Sequence, residues 1–228
     1  MIELEEKFLS GINGSECSVR GKLYESSIDS TDTLRSEISC YHTLKVLIMD
    51  KSWTTVEVLR QTRHDWLNKI QIIKGNLELN KIDRVKGFIE EIIIETQQEA
   101  RLSSLNMPKF SELLMTANWE NWAFNFEYEI VDVFEASESM DELMYQWTRS
   151  YFQLLGEQLN PFTENMLTIE ISKKESINMC CSFHLQGKLK EQDTVTKFLT
   201  NSLTEQQTVN VQSLSEDELF FTMDVRFE

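Results

Sequence analysis

Thr62-Arg63-His64-Asp65-Trp66-Leu67-Asn68-Lys69 lies in the middle of the strongest helical pattern in the chain. Apolar residues recur at Val56, Leu59, Trp66, Ile70, Ile73 and Leu77, the alternating three-and-four spacing of a packed helix seam, and only Arg63 interrupts it. His64 follows that seam position directly, which places it on the outward side of the helix. Packing accounts poorly for an exposed histidine with an acidic neighbour in mid-helix. Two readings stand side by side: an ordinary surface histidine, or a nucleophile for phosphoryl transfer.

The pattern predicts a helix from about Ser52 to Leu79, with Ser52 or Thr54 available as its cap. At 1.5 Å per residue it would run roughly 40 Å. Gly75 lies inside it, costs about 1 kcal/mol relative to alanine, and would let another backbone come close. Asn80-Lys81 reads as a short turn before a second helix from about Ile82 to Leu105. That helix carries apolar positions at Ile82, Val85, Ile89, Ile92 and Ile93 and small ones at Thr96 and Ala100. So short a turn makes the helices antiparallel neighbours. Two helices cannot enclose their own seams, so the expected arrangement is a homodimeric four-helix bundle.

Residues 1–48 are weakly patterned and rich in polar residues, with short helices possible near Leu4 to Leu9 and Leu34 to Leu47. They read as a loosely attached extension, and Met49 as a plausible alternative start. The hairpin then occupies 49–106 and a different pattern occupies 107–228. A short helix is expected from Phe110 to Asn121, a strand through Phe124, Phe126, Tyr128 and Ile130, and an amphipathic helix from Met140 to Leu159. Strands follow at Leu167 to Ser172 and Ile177 to Gln186, a helix near Glu191 to Leu203, and strands near Val209 to Leu214 and Leu219 to Phe227. The fold class is α+β: a helical hairpin followed by an α/β sandwich domain.

The formal charge is −16. It argues against a nucleic-acid partner, which needs a basic footprint. The charge is uneven: Asp50 to Arg101 holds 9 Lys/Arg against 9 Asp/Glu, whereas Asn106 to Glu228 holds 8 against 21. Acidic partners therefore meet no net repulsion only at the hairpin. Cys17, Cys40 and the adjacent Cys180-Cys181 have no zinc-site spacing and suggest no disulfide framework. With no signal peptide and no apolar run of membrane-spanning length, the chain reads as cytoplasmic.

Around His64, the residues one turn away on the same face are Arg60 and Asn68, with Gln71 two turns on. A neutral imidazole can attack phosphorus, and the group it receives brings about two negative charges. Arg63, Lys69 and Lys74 offer positive charge, and the Asn68 amide can donate to a phosphoryl oxygen. Asp65 can accept the imidazole N–H and fix the tautomer that leaves the other nitrogen free. His42 and His184 are read as ordinary, His184 as solvent-facing on its strand. After Gly87 the only glycines are Gly156 and Gly187. No glycine-rich phosphate loop is present, and Glu157 to Asn165 supplies no magnesium-binding helix, so ATP use is not expected.

Arg63-His64-Asp65-Trp66-Leu67-Asn68-Lys69-Ile70-Gln71-Ile72-Ile73-Lys74-Gly75-Asn76-Leu77 closely resembles the active helix of the sporulation initiation phosphotransferase B family of the bacilli. The likeness continues through Asp83-Arg84-Val85 and extends less tightly to Asn118-Trp119 and Tyr128-Glu129-Ile130. The shorter H-D-x-x-N pattern is also similar to one class of two-component sensor kinases. The resemblance implies a dimeric bundle and a C-terminal domain shaped like a histidine-kinase ATPase domain that no longer binds ATP. It implies a phosphotransferase in which His64 takes a phosphoryl group from one response regulator's aspartate and passes it to a second, the sporulation transcription factor. Asp65 and Asn68 occupy the matching motif positions, and Arg60, Arg63, Leu67, Lys69 and Gln71 would form the regulator contact. Magnesium would be bound by the receiver domain rather than by this chain. Two alternatives remain: a degenerate sensor-kinase-like autokinase, and a non-catalytic dimeric scaffold that binds regulators. The family offers no counterpart for residues 1–48.

Overall fold

The computed structural model describes residues 53–174 and 177–226. The expected extension over 1–48, its short helices, Met49, Cys17, Cys40, His42 and the Ser52 cap lie outside the described residues, as does Phe227 at the end of the last expected strand. From Val56 onward the chain forms one compact unit. It begins with helices α1 (Thr55–Glu78) and α2 (Ile82–Ser103).

The turn between them has a clear local cause. Asn80 sits at φ 53°, the left-handed conformation that asparagine tolerates best after glycine. Its N–H bonds to the Leu77 carbonyl at 2.9 Å, and the Lys81 N–H reaches back to the Asn76 carbonyl at 2.9 Å. These two bonds satisfy carbonyls that the end of α1 would otherwise leave unpaired. A Cβ added at Gly75 would meet nothing within 4 Å among the described residues, so no described backbone of this chain occupies the space the glycine leaves.

A second left-handed asparagine, Asn106 at φ 56°, turns the chain out of α2. Pro108 then occupies the first turn of α3 (Pro108–Thr116), where its missing N–H costs nothing. Asp141 caps this helix from a distance: its carboxylate accepts from the Phe110 N–H at 2.8 Å and the Lys109 N–H at 3.1 Å. Buried to 3% exposure, Asp141 ties α3 to α4 (Glu138–Gln158), on whose first turn it stands.

A 3-10 turn, Ala117–Trp119, ends the expected Phe110 to Asn121 helix early and leads to β1 (Asn125–Ile130). Strands β2 (Met166–Lys174) and β3 (Ile177–Gln186) follow α4. Helix α5 (Gln192–Asn201) precedes β4 (Gln207–Leu214) and β5 (Glu218–Val225). The sheet order is β1-β2-β3-β5-β4. Only the β1–β2 pair is parallel, with Phe126 opposite Leu167 and Ile130 opposite Ile171; the other pairs are antiparallel.

One face of this sheet is apolar. Phe126, Ile130, Leu167, Ile169, Ile171, Cys181, Phe183, Leu185, Phe221 and Met223 are all buried. They pack in one core with Met144, Trp147, Tyr151 and Leu155 of α4 and Val195 and Leu199 of α5. Phe183 and Phe221 stack nearly parallel at 4.7 Å between centroids. The helices therefore cover one face, giving a two-layer α/β sandwich. Cys180 and Cys181 are free and buried. His184 lies on the opposite face, as expected, but is only partly open and is hydrogen-bonded through Nε2 to Glu218 at 2.9 Å.

The hairpin joins the sandwich at the edge strand β1. Gln98 accepts the Ile130 N–H at 2.7 Å and Arg101 donates to the Ile130 carbonyl at 2.9 Å, so the last turns of α2 extend the sheet's hydrogen bonding sideways. Much of the hairpin's apolar surface is open. Leu59, Ile70 and Leu77 of α1 are each about half exposed or more, as are Ile82 and Ile93 of α2. Among the described residues no helix is long and apolar enough to cross a membrane.

Candidate functional site

His64 lies midway along α1, and its side chain is 66% exposed. The helix repeat places Asp65 beside it and Asn68 one turn on. Asp65 Oδ1 stands 3.3 Å from His64 Nδ1, and Asn68 Nδ2 stands 3.3 Å from the same nitrogen. Both partners converge on Nδ1, so Nε2 is the nitrogen that the motif leaves to solvent. A carboxylate can only accept, so the pairing with Asp65 requires the proton on Nδ1. The Asn68 amide can be turned to present its oxygen to that same N–H, since the two ends of an amide are interchangeable in shape.

The Asp65 carboxylate is itself held. Its Oδ2 accepts the indole N–H of Trp119 at 3.0 Å. Trp119 closes the 3-10 turn in front of β1, and its neighbour Asn118 fixes that turn. The Asn118 amide donates to the Phe126 carbonyl at 2.8 Å and accepts the Phe126 N–H at 2.9 Å. A chain of polar contacts thus runs from the sheet through Trp119 and Asp65 to the imidazole. Helix periodicity could not have found Trp119, which lies 54 residues from Asp65. The sequence signal was the Asn118-Trp119 pair within the family resemblance, which carries no role with it.

The other expected site residues divide into two groups. Arg60, Arg63, Leu67 and Gln71 are exposed along α1 around His64. Lys69 does not join them: its ammonium donates to Glu95 of α2 at 2.6 Å, lies 5.5 Å from the Trp66 ring centroid, and leaves the side chain only 23% exposed. Lys74 lies 3.7 Å from Glu78 on its own helix. Of the basic residues expected near the imidazole, both lysines have a carboxylate neighbour, whereas Arg60 and Arg63 are exposed on the same helix. Burial pushes the Tyr128 hydroxyl well above its ordinary value, and the nearby carboxylates of Glu99 and Glu95 push it further. Among the described residues no group of three or more His, Cys, Asp or Glu side chains is arranged to hold a metal ion.

Two family models match the chain and together span all the described residues. "Sensor kinase SpoOB-type, alpha-helical domain" covers residues 48–105, and "Sporulation initiation phospho-transferase B, C-terminal" covers residues 106–226. Sporulation initiation phosphotransferase B of Bacillus subtilis (strain 168) is 35% identical over 116 residues, which is 51% of this chain and 60% of that protein. The match thus spans less than two thirds of the relative. Among solved structures, the blue-light activated histidine kinase of Erythrobacter litoralis aligns at TM-score 0.41 and 11% identity, over 78% of this chain and 62% of that one. Histidine kinase ThkA in complex with response regulator protein TrrA aligns at TM-score 0.36 and 14% identity, over 87% of this chain and 67% of that one.

Proposed function

Since its helical and its α/β parts both match, the chain belongs to the sporulation initiation phosphotransferase B family, and we propose on that footing that it is a phosphorelay phosphotransferase acting through His64. The observation that carries the proposal is the convergence of Asp65 and Asn68 on Nδ1 of an imidazole whose side chain is two-thirds open. That arrangement leaves Nε2 as the nucleophile.

In the reaction a response regulator presents an aspartyl phosphate. The Nε2 lone pair forms the N–P bond as the P–O bond to the regulator's carboxyl oxygen breaks, and the electron pair of that bond leaves with the carboxylate. The transition state is loose and in line, so the protein contributes mostly position and charge. Nδ1 keeps its proton, and the ring becomes formally cationic on phosphorylation. Asp65 opposes that charge at Nδ1, and Asn68 helps hold the ring plane. Transfer to the aspartate of a second regulator, here the sporulation transcription factor, runs the same bond changes in reverse. No nucleotide enters either step.

Arg60, Arg63, Leu67 and Gln71 form the surface on which the receiver would sit, with the guanidinium groups facing its acidic cluster. Lys69 contributes there only by leaving Glu95. Magnesium belongs, in this reading, to the receiver's acidic cluster. The open apolar seams of α1 and α2 support a homodimeric four-helix bundle, and the α/β domain is the family's sandwich without nucleotide-binding loops. A cytoplasmic location follows from such partners.

The test mixes the protein with a labelled, phosphorylated receiver domain and magnesium, without ATP, beside His64→Ala. Label should move onto the wild type, pass to a second receiver, and never appear on the variant. Wild-type protein that takes no label from any receiver of its own organism overturns the proposal. Label acquired from ATP would instead make it an autokinase.

A further inference from the structure

We infer that Trp119 is a positioning residue for phosphoryl transfer, holding Asp65 in the rotamer that engages His64. The inference rests on the reading of His64 as the phosphoacceptor. An aspartate on the outer part of a helix ordinarily turns freely between its rotamers and spends much of its time hydrated. Here one carboxylate oxygen accepts from Trp119 Nε1 at 3.0 Å while the other lies 3.3 Å from His64 Nδ1. The two contacts use opposite oxygens, so the indole N–H sets the carboxylate plane and thereby the oxygen offered to the imidazole.

The indole is a good clamp because the turn that carries it is tied to the sheet. Asn118 makes two hydrogen bonds to the backbone of Phe126, a residue 3% exposed in the core of the sheet. Trp119 therefore hangs from the α/β domain, while the carboxylate it holds stands on the hairpin. Its N–H only donates, so it can bind the carboxylate but cannot compete for the imidazole proton. This gives the α/β domain, which the proposed reaction otherwise leaves idle, a direct part in the chemistry. During transfer the N–P bond forms at Nε2 and the proton stays at Nδ1. A carboxylate already aligned with that proton needs no reorganisation as the ring becomes cationic.

The experiment compares Trp119→Phe, Asp65→Ala and the double variant. Phenylalanine keeps most of the ring's packing and removes the N–H. Transfer from a phosphorylated receiver should slow about three- to tenfold in Trp119→Phe, the range of one lost hydrogen bond to a charged group that is partly solvated. In the Asp65→Ala background the same substitution should change nothing further. Long-range proton–nitrogen NMR at alkaline pH should show His64 shifting away from the Nδ1–H tautomer in Trp119→Phe. The Trp119 indole N–H resonance should move upfield in Asp65→Ala, a change at the surface of a helix that folding should tolerate.

Equal slowing by Trp119→Phe with and without Asp65 would make its effect structural and overturn the inference. So would an unchanged His64 tautomer, or an indole resonance indifferent to Asp65→Ala. The last measurement decides the matter even if Trp119→Phe fails to fold. If wild-type protein takes no label at all, the phosphotransferase reading fails by itself, and the indole and tautomer signals still report on the clamp.

Discussion

The Lys69 ammonium crosses from α1 to α2 and meets Oε2 of Glu95 at 2.6 Å, one turn beyond the imidazole it was expected to serve. The pair links the two helices just over one turn C-terminal to His64. Because the lysine is largely covered, it is worth more than an exposed surface pair, about 1 kcal/mol. Lys69→Met should lower the melting temperature by about 2–4 °C and leave transfer through His64 nearly unchanged. Calorimetry together with the transfer assay checks both halves. A large loss of transfer at unchanged stability would place Lys69 in the regulator contact instead.

Glu99 makes the same region sensitive to pH. Partial burial raises its carboxyl above the ordinary range, Glu95 raises it further, and Lys69 lowers it. A carboxyl raised in the folded state favours folding while protonated, so its contribution is full below the ordinary carboxylate range. That contribution fades as pH rises through the elevated value. Glu99→Gln, neutral throughout, should therefore melt higher than wild type near pH 7 by less than about 3 °C, since much of the side chain meets solvent. The advantage should vanish near pH 4. Melting curves at the two pH values provide the check. A variant equally or less stable at both would show that Glu99 is not strained.

His64→Ala and Asn68→Ala separate chemistry from stability. Both side chains are exposed, so neither change should move the unfolding free energy by more than about 0.5 kcal/mol. Label transfer should disappear in the first. In the second it should fall about tenfold, the scale of losing one hydrogen-bonded orienting group. Denaturant titration beside single-turnover transfer measures the pair.

Asp141 makes the opposite prediction. It is buried, far along the chain from His64, and accepts two backbone N–H groups at the start of α3. Asp141→Ala should cost about 2 kcal/mol, because it removes the cap and strands two donors. Urea unfolding should show a lower midpoint at unchanged slope. Transfer by the fraction that stays folded should be normal.

What sequence could reveal divides along range. The three-and-four spacing from Val56 to Leu77 located α1 and put His64 outward, because helix faces are set by residues a turn apart. Asn80 marked the turn for the same local reason. The contact that Lys69 makes with Glu95 joins two helices, so a reading confined to α1 does not reveal it. The room that Gly75 leaves is not filled by any described residue of its own chain. The sheet order β1-β2-β3-β5-β4 and the Trp119–Asp65 bond join segments far apart in sequence, and nothing in local pattern encodes them. The N–H donor that steadies the site sits in a turn whose composition is unremarkable. Resemblance could flag the residues, but only coordinates connect them.

The open hairpin seam yields the last prediction. Leu59, Ile70 and Leu77 on α1 and Ile82 and Ile93 on α2 are each 47% exposed or more, a density of apolar side chains that a monomer rarely leaves in water. A second hairpin would bury them as a four-helix core and contribute roughly 1.5–3 kcal/mol for each side chain fully covered. Sedimentation at micromolar concentration should therefore find a dimer. Ile70→Glu would place a charge at the centre of that seam in each copy, and the symmetry of the dimer would double the cost. The variant should sediment as a monomer while its α/β domain keeps the near-ultraviolet signal of the Trp147–Tyr151 aromatic cluster. His64 lies on the side of α1 away from the seam, so any remaining dimer should still transfer label. A wild-type chain that sediments as a monomer at high concentration would show that something other than a second copy covers the seam.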